Sequence, residues 1–200
     1  MSQSLGTEYH DRVAKYYDQD AEWGFKDRAT ENPLLNRIRN DFRKHTVKYE
    51  FTSVLEIGVG PGFDVTWFAE QYPNADIKGV DVSQKMLDIT NQTIREKELK
   101  NCAVSRLAEH ELIPTFGEEA FDLIYVYFGA LNTTPDLHQS AEIIRKLLKA
   151  NGKAVLTFVN KYYLREALVQ ALKLNPKGAL ARFGKTWGGY SNTRHLPSHC

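Results

Sequence analysis

Between residues 52 and 159 of this 200-residue chain, short β-branched apolar runs alternate with longer amphipathic ones. The short runs are TSVLEI (52–57), IKGVD (77–81), CAVSR (102–106), FDLIYVY (121–127) and KAVLTFV (153–159). Helical spacing fills the intervals near 62–72, 83–97 and 136–150, and again around 161–174. Two more helices are expected before the first strand, at about 8–20 and 31–46, with Pro33 suited to a first turn. Ser83 reads as a helix N-cap and Asn151-Gly152 as a helix stop. Strand–helix alternation of this kind specifies an α/β fold, a doubly wound Rossmann-like parallel sheet with helices on both faces. Runs as apolar as LIYVYF suit strands buried on both sides.

The first strand runs into Gly58, Gly60 and Gly62 and then into a helix. A glycine turn at this place lets a ligand approach the unpaired N–H groups and positive dipole end of the helix. Asp81 ends the next strand, and the carboxyl ends of neighbouring parallel strands share one crevice, so its carboxylate can reach ribose hydroxyls over the turn. A dinucleotide fingerprint reads G-x-G-x-x-G and must leave room for a pyrophosphate. Here the spacing is G-x-G-x-G, and Glu56 stands two residues before Gly58. A carboxylate there repels a pyrophosphate and suits a cation, which favours S-adenosylmethionine over NAD.

The ordered motifs resemble those of class I S-adenosylmethionine-dependent methyltransferases, of the branch similar to the ubiquinone- and menaquinone-biosynthesis enzymes. The resemblance runs from about residue 9 to 160, through VLEIGVGPGFDV, IKGVDVSQKML, EEAFDLIYVYFGALNTTPD and AEIIRKLLKANGKAVLTF. It implies that Gly58, Gly60 and Gly62 line the methionine part of the cofactor and that Glu56 acts near its amino group. Asp81 would take the ribose, with Val82 and Met86 beside the adenine. Tyr127 and Phe128 would flank the methyl-donor end, and DRVAKYYD would form a lid helix carrying Tyr17. Where the family has an Asp-Ala pair after the third strand, this chain has Leu107 and Ala108, followed by Glu109. The adenine amino group would then go to Glu109, to a backbone carbonyl, or be left to apolar contacts alone. The family sheet has two further strands; nothing after Val159 reads as one, so they are expected to be missing. The fifth strand would then be an apolar edge, covered by residues 161–200 or paired with a second copy in a homodimer.

This divides the chain into a helical lid (1–50), a cofactor-binding core (51–160) and a basic helical or loop segment (161–200). That last segment holds seven Lys and Arg against one acid, although the whole chain carries only +1. A near-neutral domain without an aromatic-interleaved basic platform argues against an RNA substrate, and a small-molecule methyl acceptor is the expectation. A cofactor-binding subunit without catalysis is the other reading. Methyl transfer needs a base only for a protonated nucleophile; His10, His110, His195 and the tyrosines near Asn132 are candidates, and nothing in their placement singles one out. His195, His199 and Cys200 form no ligand cluster, so no metal is expected. No apolar run approaches the roughly 20 residues of a membrane span. The opening MSQSLGTEYHDR lacks a basic stretch followed by an apolar one, and two cysteines form no disulfide framework, so a cytoplasmic location is the default expectation.

Overall fold

The computed structural model describes residues 2–159 and 164–176. Three helices lead in: α1 (Ser2–Glu22), α2 (Phe25–Glu31) and α3 (Pro33–Thr46). The core follows as β1 (Ser53–Ile57), α4 (Phe63–Gln71), β2 (Asp76–Asp81), α5 (Gln84–Glu96), β3 (Cys102–Arg106), α6 (Leu112–Phe116), β4 (Phe121–Val126), α7 (Leu137–Leu147) and β5 (Leu148–Leu156), and then α8 (Leu164–Leu172). All five strands are parallel, in the order β3-β2-β1-β4-β5.

Alternation along the strands sorts two cores onto the two faces of the sheet. Val54, Tyr125 and Ile77 pack with Val65 and Phe68 of α4 and Leu87 of α5. Leu55, Ile124 and Val126 pack with Leu112 of α6 and Ile143, Ile144 and Leu147 of α7. Phe42 of α3 joins the first group, so the helix preceding the sheet lies on the same side as α4 and α5.

Local chemistry fixes the helix starts. Asn32 Oδ1 accepts the N–H groups of Leu34 and Leu35, with Pro33 at the first position of α3. Ser83 Oγ accepts the N–H of Met86 and caps α5 as the sequence implies. The expected stop at Asn151-Gly152 is replaced by an earlier one. Helix α7 ends at Leu147 because Leu148 already pairs with Phe121, and β5 then shifts register before Lys153–Leu156 align with Leu123–Val126. Gly152 lies in this irregularity, where an added Cβ would come within 3.0 Å of the Phe121 carbonyl.

The described residues after β5 hold one helix, α8, and no further strand. Residues 177–200, with His195, His199, Cys200 and most of the basic segment, lie outside the described residues. Among those described, no helix is long and apolar enough to cross a membrane.

Candidate functional site

The carboxyl ends of β1 and β2 stop level, because the N–H groups of Gly58 and Val59 both bond to the carbonyl of Val80. The chain after β1 therefore folds back over the end of β2. There Asp81 Oδ2 accepts the N–H of Gly60 at 2.8 Å, while Oδ1 accepts the N–H of Ser83 at 2.9 Å. One carboxylate thus ties the glycine turn to the start of α5. From the other side Thr90, fully buried on α5, donates to the carbonyl of Gly60. Gly60 has φ +51°, and a Cβ built on it meets nothing within 4 Å. The turn is strained for any other residue and faces open space.

That space is a cavity of about 490 Å³ under the N-terminal helices, within the range of small-ligand sites. Of the residues singled out in the sequence, Tyr17, Glu56, Gly58, Gly60, Asp81, Val82, Met86, Leu107, Tyr127 and Phe128 line it. Gly62 and Ala108 do not. Gly62 has φ +81°, and an added Cβ would fall 2.5 Å from Thr90 Cγ2, so its lack of a side chain serves the packing of α4 on α5. Ala108 donates its N–H to Glu111 Oε2 in the turn after β3.

Glu56 is 2% exposed. It is the register partner of Tyr125 on β4, and the Tyr125 hydroxyl donates to its Oε2 at 2.9 Å. Burial, and then the nearby Asp64 carboxylate, push the Glu56 carboxyl well above the usual range. Burial also raises the carboxyl of Asp64, in the first turn of α4, and two guanidinium groups oppose that shift: Arg43 Nε reaches its Oδ1 at 2.7 Å and Arg39 Nε its Oδ2 at 3.2 Å. Both arginines come from α3. The Tyr127 hydroxyl is hydrogen-bonded to Thr46 Oγ1 rather than free. Phe128 sits at φ +51° with its ring against the Arg39 guanidinium.

Helix α1 is anchored by a residue with no signal in the sequence. Asp18 Oδ1 accepts from Ser83 Oγ at 2.6 Å and from the N–H of Lys85 at 3.1 Å, and Lys85 pairs with Glu22. An acid on α1 thus sits on the N-terminus of α5 and brings Tyr17, Val13 and His10 to the cavity wall. Beyond β3, Glu109 also lines the cavity, its two oxygens accepting from Thr134 Oγ1 and Ser140 Oγ. His10 faces this corner: burial lowers its pKa, with Glu109 opposing that shift. Arg39, Asp64, Thr133 and Thr134 are cavity residues the sequence reading missed. Arg39 and Asp64 are 25 positions apart and meet only through the fold.

Residues 55–154, half of the chain, match the family model described as "Methyltransferase domain". The demethylmenaquinone methyltransferase of Lactobacillus johnsonii is 30% identical over 71% of this chain and 55% of its own length. Protein RP028 of Rickettsia prowazekii, itself uncharacterized, is 31% identical over 63% of this chain and 50% of its own. The chain thus spans about half the length of these two relatives. A solved SAM-dependent methyltransferase from Aquifex aeolicus superposes with a TM-score of 0.54 at 18% identity, covering 60% of this chain and 65% of that one, a likeness of fold. With its five-stranded parallel sheet and its glycine turn over Asp81, the chain belongs to the methyltransferase-domain family of class I S-adenosylmethionine-dependent methyltransferases.

Proposed function

We propose that this chain transfers a methyl group from S-adenosylmethionine to a small-molecule acceptor. The observation that carries the reading is the joining of Gly60 to Asp81 at the mouth of one cavity, where a polar acid and an uncrowded turn meet. The residues present fit the cofactor. Glu56 has one oxygen on Tyr125, and since no described buried side-chain oxygen lacks a partner, the other must open into the cavity. That suits an ammonium. Asp81 suits a pair of ribose hydroxyls, and Val82, Met86, Leu107 and Leu112 offer an apolar slot for a flat base. Glu109 or Thr134, both in the lining, would take the adenine amino group in place of the family Asp. Tyr17 and the rest of the 1–50 lid close the cavity, Tyr127 and Phe128 bound its far side, and Ala108 shapes the turn beside it.

When bound, the cofactor supplies an activated methyl carbon on a sulfonium. The chain's part is alignment: for in-line displacement, orientation alone contributes about 7–11 kcal/mol. Phe25, Leu35, Phe63 and Phe128 give the cavity an apolar wall that suits the acceptor side. Demethylmenaquinone methyltransferases among the relatives make ring-bearing acceptors the first to try.

The test is transfer of a radiolabelled methyl group to a panel of phenols, quinols and amines, with total RNA and protein as further acceptors. Label in an organic-extractable product supports the proposal. Label confined to RNA or protein overturns the small-molecule reading.

A further inference from the structure

The large apolar side chains left exposed among the described residues are unevenly spread. Apart from Tyr49, they stand at the end of the sheet where the strands' carboxyl termini lie, or on and just after α8. Trp23 follows α1, whose Glu22 pairs with Lys85 at the start of α5, and two residues further on Phe25 lines the cavity. Leu34, 62% exposed in the first turn of α3, adjoins the lining residue Leu35. Phe128 belongs to the lining and is also 40% exposed, so its ring serves both the inner wall and the outer surface. Phe158, 48% exposed, is fixed to the same turn. There Gly129 donates its N–H to Thr157 Oγ1 at 3.4 Å, and Val159 donates its N–H to Asn132 Oδ1 at 2.9 Å. The apolar wall of the cavity thus continues outward as a rim.

The chain runs from this rim into α8. Leu168, Val169 and Leu172 share one face of that helix and are exposed, Leu172 at 76%, with the exposed Lys173 beside them. Charge follows the same path. Residues 20–39, which carry Trp23 and Leu34, hold four acids against four Lys and Arg, and the stretches 127–134 and 156–160 hold no charge. Asp136, the next acid, is spent on the cap of α7. Residues 161–200 then bring seven Lys and Arg against one acid. A neutral apolar rim is therefore followed by a basic segment. The rim side chains come from separate stretches of chain and stand singly around an opening, which hydrocarbon accepts without shape complementarity.

We propose that the cavity end of the molecule docks on an anionic lipid surface. Trp23, Leu34, Phe128 and Phe158 enter the apolar boundary together with the exposed face of α8, and the basic residues of 161–200 meet the headgroups. The cavity then opens toward the lipid, and an apolar acceptor reaches it without crossing water. Docking needs no assumption about the cofactor; delivery of the acceptor rests on the methyltransferase reading.

The experiment uses the whole chain, with Phe158→Glu and Leu172→Glu as variants outside the cavity lining. Flotation measures partition onto vesicles of phosphatidylcholine alone and of phosphatidylcholine mixed with phosphatidylglycerol. Calorimetry with S-adenosylhomocysteine checks the cavity in each variant. The wild type is expected to bind the mixed vesicles, to bind the neutral ones more weakly, and to lose affinity as salt is raised. Each glutamate should lower partition by about tenfold or more, the effect of withholding one large apolar side chain from the lipid boundary. S-adenosylhomocysteine binding should stay as in the wild type. Absence of binding to both kinds of vesicle overturns the proposal. So does binding to mixed vesicles that neither glutamate weakens, since charge alone would then hold the chain. A dimer in light scattering that Leu172→Glu splits, without vesicle binding, assigns the surface to a second copy and also overturns it. Should a glutamate variant fail to fold by circular dichroism, Phe158→Gln and Leu172→Gln take its place with the same expectation. A wild type that binds mixed vesicles but not S-adenosylhomocysteine supports the docking and removes the methyltransferase reading.

Discussion

Asp81 bonds the turn it faces, so its removal has two consequences of different size. The N–H groups of Gly60 and Ser83 lose their acceptor, a local loosening. A ligand with ribose hydroxyls loses charge-assisted bonds, each worth about 1.5–3 kcal/mol. Asp81→Ala is therefore expected to weaken S-adenosylmethionine binding by about tenfold or more while the far-ultraviolet circular dichroism of the fold is kept. An unchanged dissociation constant would remove Asp81 from the ribose role. Glu56 makes a second prediction, through protons. Its folded pKa lies above the unfolded value because of burial, with Asp64 and Asp81 raising it and Tyr125 and Arg43 lowering it. The folded chain then holds a proton that the unfolded chain has released, so Glu56 lowers stability as pH rises from the ordinary glutamate range through the raised folded pKa. A ligand ammonium reverses the preference by favouring the carboxylate. Cofactor binding should release a proton and tighten with pH up to that folded pKa. Calorimetry in buffers of different ionisation heat measures the release; Glu56→Gln should abolish it, and an equal release in that variant would place the proton elsewhere.

Elements show where sequence is a good guide. The strands β1 and β4 were legible because apolar runs buried on both faces leave no polar alternation to confuse with a helix, whereas the edge strands β3 and β5 are partly exposed and were legible from their place in the alternation of elements. The helices α2 and α6 were not, since seven and five residues are too short to show a period. The end of α7 was misplaced because Asn-Gly is a strong local stop signal, whereas the pairing of Leu148 with Phe121 is non-local. The candidate site divides likewise: Gly60 and Asp81 could be read from position on successive strands, but Asp18, Arg39 and Asp64 acquire their roles only when helices dock. Asp18 allows a test of the lid as an element. Asp18→Ala removes a partner from Ser83 Oγ and from the N–H of Lys85, a loss comparable to a helix cap at about 1 kcal/mol. Amide exchange across residues 9–22 should speed up several-fold, with cofactor binding weakened in parallel; exchange as slow as in the wild type would mean that other contacts hold the lid.

For the molecule as a whole, the open question is the edge of the sheet. β5 pairs with β4 on one side. Because Thr157 donates to Val126, alternation turns the N–H groups of residues 154 and 156 outward. Helix α8 leaves Leu168, Val169 and Leu172 exposed, so those side chains do not provide the cover expected of the 161–200 segment. We expect a second copy of the chain to shield this edge. Protection of the amides of residues 154 and 156 should rise with protein concentration, alongside a dimer mass in light scattering; concentration-independent fast exchange in a monomer would exclude it. The central claim concerns what fills the cavity at the carboxyl ends of the strands, and calorimetric titration with S-adenosylmethionine, S-adenosylhomocysteine and NAD tests it most directly. Saturable one-to-one binding of the first two, with no heat from NAD, is the predicted result; binding of NAD, or of none of the three, would contradict the assignment of Glu56, Gly60 and Asp81 to a methyl-donor site.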